Sequence, residues 1–494
     1  MEERIVALPQ GQIRGTAEGG VARFLGVPYA AAPVGARRFK APAPAEPWVG
    51  VRDCTRYGPN APQISKPFPE IEIATLVGEG WRKGDDYLNL NVWAPDGPGG
   101  ERPVMVFIHG GAFIGGANDA PVHDGGGFAR SGVVCIAINY RLGIDGFLPI
   151  EGVPTNLGLR DQIAALQWVR DNAARFGGDP DNVTVFGESA GAMSVANLLA
   201  SPLAEGLFRR AIVQSGHGEM VRTLPVARKV TRRLAKLLKI KPTLEGFRSV
   251  PFEAGLAALD KVSAPLPGID LREPNGREPS YGLSRFLPVI GDDVLPEHPH
   301  AALAKGAGSK VEVLVGTNRE EMNIYFVPTG VREKASGLLA WFFLAKSTPR
   351  ARDLLKAYGL GRKGVRGGDA LSEATHDVVF RLPARRFAQA HQGRTWFYEF
   401  DWRSPACGGE LGACHALELP FVFDTLACAT GPRGFVGENP PQGLADRAHG
   451  LWVTFASGRD LPWPAYAHGS RDVYSMAKGY ASADADMPAA RFWS

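Results

Sequence analysis

The sequence predicts an α/β fold in which a mostly parallel central sheet is flanked by helices and carries helical insertions as a cap. Three observations predict it. The β-branched stretch Val183-Thr184-Val185-Phe186 runs into Gly187-Glu188-Ser189-Ala190-Gly191, and residues 190–200 beyond it are small and helix-forming. The apolar run Val104-Met105-Val106-Phe107-Ile108 is long enough for a strand buried on both faces, and it ends in His109-Gly110-Gly111. A further buried run, Val311-Glu312-Val313-Leu314-Val315, ends in the turn Gly316-Thr317-Asn318-Arg319-Glu320-Glu321.

Each element has a local reason. After the first strand, Gly110 and Gly111 offer backbone N–H groups with no side chain in the way, suited to holding a developing negative charge. Residues 133–139 form another apolar strand, with Cys135 inside it. At Ser189 a strand, a sharp turn and a helix follow one another, and such a turn needs glycine on both sides so that neighbouring backbone can pass. It reads as a nucleophile elbow, and the Ala190 N–H, at the positive end of the helix, joins Gly110 and Gly111 in a predicted oxyanion hole. Residues 226–241 carry seven basic residues, while Val226, Val230, Leu234 and Leu237 recur at helical spacing, which predicts a solvated helix packed by its apolar stripe.

A serine hydroxyl needs a base, and the base a carboxylate to orient it. In sheets that carry such an elbow the acid follows the serine and the histidine comes last, which removes His109 and His123 from the ten histidines. His415 is the best remaining base, in a glycine-led loop before the apolar segment 416–423, whereas His298, His300, His391 and His468 read as surface or satisfied core residues. The turn after residues 311–315 delivers two carboxylates, Glu320 and Glu321, either of which satisfies the chemistry.

Over nearly its whole length the chain resembles the type-B carboxylesterase and cholinesterase family of α/β-hydrolases, particularly its bacterial, p-nitrobenzyl-esterase-like branch. The likeness rests on Phe24-Leu25-Gly26-Val27-Pro28-Tyr29-Ala30, Asp85-Asp86-Tyr87-Leu88-Asn89-Leu90-Asn91-Val92-Trp93, Phe176-Gly177-Gly178-Asp179-Pro180 and the closing residues 452–458, in that order around the elbow. The resemblance implies an α/β-hydrolase fold and hydrolysis of carboxylic esters through Ser189, Glu321 and His415, since the family's G-x-N-x-[DE]-E pattern matches Gly316, Asn318, Glu320 and Glu321. It also implies that the Ser215 hydroxyl hydrogen-bonds the acid, that Glu188 stands beside the triad, and that Arg38 pairs with Asp85 and Arg141 with Asp161 as scaffold. One departure stands out. Where relatives in oxidising compartments carry a disulfide, this chain has Ala61 and Tyr87, and its five cysteines read as reduced thiols.

Composition narrows the partners. With 55 basic and 51 acidic residues the net charge is +4, too slight to imply nucleic acid, and the expected partner is a small-molecule ester with no metal or organic cofactor. The start, Met1-Glu2-Glu3-Arg4-Ile5-Val6, has no apolar core of a secretory signal, so a cytoplasmic protein without membrane attachment, a monomer or small homo-oligomer, is expected. The apolar run 337–345 is shorter than the roughly 20 residues that span a bilayer. It reads as a core helix, or as one whose Trp341, Phe342 and Phe343 line an acyl or aryl pocket together with Phe113. Because the site residues are spread from 110 to 415, residues 1–494 are expected to form one domain, with about 220–380 supplying the cap, and the proline- and glycine-rich stretches 59–69, 95–103 and 265–282 to be loops. An amidase or carbamate hydrolase using the same triad, a lipase, and a non-catalytic binding homologue are the competing readings.

Overall fold

In a computed structural model the chain is described over residues 2–264, 269–466 and 470–492. His468 and the first residues of the stretch 265–282 lie outside the described residues. At the N-terminus, β1 (Glu2–Leu8), β2 (Gly11–Glu18) and β3 (Val21–Pro28) pair antiparallel, β4 (Val51–Asp53) lies parallel against β2, and β3 pairs antiparallel with β5 (Asn89–Pro95). The core strands follow as β6 (Arg102–Ile108), β7 (Val134–Ile138), β8 (Gly178–Glu188) and β9 (Arg210–Gln214). A separate pair, β10 (Arg222–Thr223) and β11 (Val289–Ile290), is parallel. Then come β12 (Glu312–Asn318), β13 (Thr395–Phe400), β14 (Asp472–Ser475) and β15 (Tyr480–Ala483).

Across the large sheet the order is β1-β2-β3-β5-β7-β6-β8-β9-β12-β13-β14-β15. From β7 to β14 every pairing is parallel, while β5 against β7 and β14 against β15 are antiparallel. The predicted parallel sheet is therefore the centre of a mixed one. Its strands are apolar on both faces because both are covered. Val104, Val106 and Ile108 of β6 pack with Leu159, Ile163 and Leu166 of the helix Leu157–Asn172, while Met105 and Phe107 pack with Phe128 and Phe423 on the other side.

The reversal of strand order around β6 opens a crevice at the carboxyl ends of β6 and β8, the place where open α/β sheets bind ligands. Register fixes what meets there. Ile108 pairs with Gly187, Glu188 with Gln214 and Gly316 with Gln214, so the loops after β6, β8, β9 and β12 emerge side by side.

Several expectations meet their structure here. The basic segment is the helix Leu224–Leu238, with Val226, Val230 and Leu234 buried and Arg228, Arg232 and Arg233 exposed. The interval 220–380 is not one block, since β12 runs through it into the sheet. Arg141 and Asp161 pair as expected at 2.6 Å, both fully buried. Arg38 does not pair with Asp85. Its partner is Asp145 at 2.6 Å, in the helical turn Gly143–Phe147 that follows β7, whereas Asp85 is exposed and its neighbour Asp86 binds Arg52. The five cysteines are all free, and Tyr87 and Ala61 are both buried in the apolar core. Among the described residues no helix is long and apolar enough to cross a membrane.

Residues 337–345 correct a second expectation. They form the helix Gly337–Ala345, capped by the Ser336 hydroxyl, but it is not a core helix. Leu338 is 75 % exposed, Phe342 51 % and Trp341 41 %, and only Ala340 and Leu344 are buried. An apolar run without periodicity does not say which of its faces the fold will cover.

Candidate active site

Ser189 has φ 56° and ψ −122°, a backbone conformation rarely adopted outside glycine, and it is held there by its N–H donating to the Gln214 carbonyl at 2.9 Å. The glycines explain themselves sterically. A Cβ on Gly187 would lie 2.6 Å from the Gly191 carbonyl carbon, and one on Gly191 would collide with the Ile108 carbonyl oxygen. The turn thus packs directly on the end of β6, where a Cβ on Gly110 would come within 3.1 Å of the Ser189 Cβ.

Around this serine three donors are left open. Among the described residues the N–H groups of Gly110, Gly111 and Ala190 make no hydrogen bond, Ala190 being the first residue of the helix Ala190–Ala200. The glycine loop is held from behind. His109 Nδ1 donates to the Gly110 carbonyl at 2.8 Å, its ring stacks on Tyr140 at 4.5 Å, and the Tyr140 hydroxyl donates to the His109 carbonyl at 2.9 Å. Burial lowers the His109 pKa to about 4, so this structural imidazole is neutral at physiological pH.

His415 sits in the loop after the helical cap, and its Nδ1 donates to Glu321 Oε2 at 2.6 Å. The other carboxylate oxygen, Oε1, accepts the Asn318 N–H at 2.7 Å, so Glu321 is fully buried with both oxygens used. Glu320 is committed elsewhere. It binds Arg403 and accepts the Ala413 N–H at 2.9 Å, which anchors the loop carrying His415. Of the two carboxylates in the turn, geometry brings Glu321 to the histidine, the one the family resemblance implied.

The second imidazole nitrogen, Nε2, lies 3.0 Å from Glu188 Oε1, an ion-pair contact once the ring is protonated. No hydrogen bond joins it to Ser189 Oγ among the described residues. Burial works against the imidazolium, but Tyr325 and the carboxylates Glu188 and Glu321 outweigh it and lift the His415 pKa well above the usual histidine value. Burial likewise raises the Glu188 carboxyl, an effect His415 opposes.

Some site residues have no sequence signal. The Phe380 ring lies 4.5 Å from the His415 ring and Tyr325 5.9 Å, and Phe380 is presented by the π-helical turn Asp377–Arg381, which no sequence pattern marks. Asn318 was legible in the turn motif, yet its second function is not. Its side-chain amide donates to the Cys414 carbonyl and to Glu418 Oε2, both at 2.7 Å, and burial pushes the Glu418 carboxyl up to about 8.

Two expected roles are not made. The buried Ser215 hydroxyl has no hydrogen-bond partner among the described residues, while the two oxygens of Glu321 accept from Asn318 and His415. Phe113 is packed into the core against Phe147 at 4.7 Å. Trp341, Phe342 and Phe343 do line a cavity, of about 480 Å³, but Ser189, Glu321 and His415 are not among its walls.

Comparisons with known proteins identify the family. The model of the carboxylesterase family matches residues 2–489. The chain belongs to the carboxylesterase family. It is 38 % identical to the para-nitrobenzyl esterase of Bacillus subtilis (strain 168) over 487 residues, 96 % of this chain and 94 % of that protein. To the phenmedipham hydrolase of Pseudarthrobacter oxydans it is 34 % identical, over 92 % and 91 % of the two chains. A solved PNB esterase structure superposes with a TM-score of 0.83 at 37 % identity, covering 98 % of each chain. The large mixed sheet with flanking helices is thus an α/β-hydrolase fold, and the protein is a carboxylic ester hydrolase.

Proposed function

We propose that Ser189 is the nucleophile, His415 the general base, Glu321 its orienting acid, and the N–H groups of Gly110, Gly111 and Ala190 the oxyanion hole. One observation carries this reading: a strained elbow serine stands beside backbone donors that have no partner among the described residues, in one crevice with a buried histidine already bound to a carboxylate. His415 Nε2 turns from Glu188 to Ser189 Oγ and takes its proton as Oγ attacks the ester carbonyl. The tetrahedral oxyanion lies against the three N–H groups, the imidazolium returns its proton to the departing alcohol, and water repeats the sequence on the acyl-enzyme to release the acid. Glu188 steadies the imidazolium from the serine side.

The names of two relatives, a para-nitrobenzyl esterase and a phenmedipham hydrolase, support aryl-containing substrates, and short to medium acyl esters belong to the same proposal. The protein is read as one domain with a helical cap, acting on a small-molecule ester as a monomer or small homo-oligomer. Its five free cysteines support a reducing, cytoplasmic setting.

The test is hydrolysis of p-nitrophenyl esters from acetate to palmitate, with circular dichroism as a check on folding. Wild-type protein is expected to turn over short and medium chains, and folded Ser189→Ala to lose at least about 10⁴-fold in kcat/KM. Equal activity in the variant would remove Ser189 from the mechanism.

A further inference from the structure

The cavity of about 480 Å³ on the cap falls within the size of small-molecule sites and is walled largely by Ile269, Leu271, Tyr281, Trp341, Phe342 and Phe343. Its charged residues are unevenly matched. Asp270 is occupied by Arg272, which donates to both its oxygens at 2.9 and 2.8 Å. Glu278 is occupied by Arg222, by the Ser280 hydroxyl at 2.9 Å and by the Gly282 N–H at 2.6 Å. Arg285, also in the wall, has neither hydrogen bond nor ion pair among the described residues. Lys346, at the same cavity, has no carboxylate partner and rests over the Phe342 ring at 4.6 Å.

Each carboxylate of the cavity is thus directly paired, and among the described residues two cations have no ion-pair partner. Arg285 is half-buried, and burial weakens its hold on the proton without discharging it at neutral pH. Glu278, already bound to Arg222, acts on Arg285 only through space. A partly desolvated guanidinium with no direct partner is costly, and its planar fork matches a carboxylate. The aromatic walls cover an apolar body but offer little to a bare inorganic anion. A neutral molecule would fill the walls and leave Arg285 unpaired.

We propose that this cavity is a binding site for a carboxylate carrying an aryl or alkyl body, the anion on Arg285 and the body against Trp341, Phe342 and Phe343. Acids released by ester hydrolysis belong to this class, a link that rests on the role given to Ser189 above, whereas the binding itself does not. Phe343 joins the two regions, since its ring meets Phe326 edge-on at 6.0 Å and Phe326 lies five residues beyond Glu321.

Calorimetric titration of full-length Ser189→Ala with 4-phenylbutyrate and its neutral amide tests this without any catalytic turnover. The carboxylate is expected to bind about tenfold tighter than the amide or better, as a charge-assisted hydrogen bond confers. Adding Arg285→Gln should make the two ligands equal, and Trp341→Ala should weaken both alike. Arg285→Lys, which keeps the charge, should retain part of the preference, and the ratio with Arg285 intact decides the matter even if the Gln variant fails to fold. No binding up to about 10 mM, no preference for the carboxylate, or a preference that survives in folded Arg285→Gln would overturn the proposal. An inert wild type in the ester assay would leave this outcome untouched, so the two readings fail separately.

Discussion

His415 is held between two carboxylates, Glu321 on Nδ1 at 2.6 Å and Glu188 beside Nε2 at 3.0 Å. That arrangement has a consequence for pH. An imidazole serves as base only when neutral, and these neighbours raise its pKa well above the usual value, so kcat/KM should climb with pH through a limb displaced to the alkaline side of 6.5. Removing one negative charge in Glu188→Gln lowers that pKa and should move the limb toward acid pH, while the same replacement weakens the stabilised imidazolium and lowers the plateau. A pH–rate profile of both proteins measures it, and a limb that stays put or moves to higher pH would show that Glu188 does not act on His415. The resemblance pointed to Glu321, but the serine expected to support it does not. Whether Ser215 reaches the acid depends on side-chain direction at the end of β9, which sequence spacing leaves open.

The elbow is a property of three elements together: β6, β8 and the helix Ala190–Ala200. Gly191 closes the helix onto the end of β6, where its Cα faces the Ile108 carbonyl, and a methyl group there has nowhere to go because the obstacle is backbone. Gly191→Ala is expected to cost about 3 kcal/mol or more in stability and to abolish esterase activity, as urea denaturation and the p-nitrophenyl assay would show. A variant as stable and active as wild type would mean that the turn relaxes without harm. This element was legible because glycines flanking a serine between a strand and a helix express a local steric need. The helix Gly337–Ala345 was legible only as a helix. With apolar residues on every side, it carried no instruction about burial, and the cap left Leu338 and Phe342 in solvent.

At the scale of the whole molecule, the most deeply buried ion pair among the described residues is Arg141 with Asp161, which joins the chain beyond β7 to the helix Leu157–Asn172. Asp161 accepts from the Arg141 backbone N–H at 3.0 Å and from Nε at 2.7 Å, and Arg141 also donates to the Lys40 carbonyl at 2.6 Å. Asp161→Asn leaves a guanidinium uncompensated in the core and should destabilise the protein by roughly 3–5 kcal/mol, read from urea unfolding midpoints. A change below about 1 kcal/mol would show that water or another acid reaches Arg141. The sequence by itself determined the parallel centre of the sheet, the elbow, the glycine loop after β6 and the histidine, because each is encoded by backbone sterics or by an apolar run within a dozen residues. Only the tertiary structure decided that Arg38 meets Asp145 rather than Asp85, that Glu320 is taken by Arg403 and the Ala413 N–H, that Phe380 lies on the imidazole, and that Arg285 faces an aromatic cavity with no ion-pair partner among the described residues. Those contacts join segments tens to hundreds of residues apart, and their partners are chosen by strand order, register and side-chain direction, which no local pattern carries.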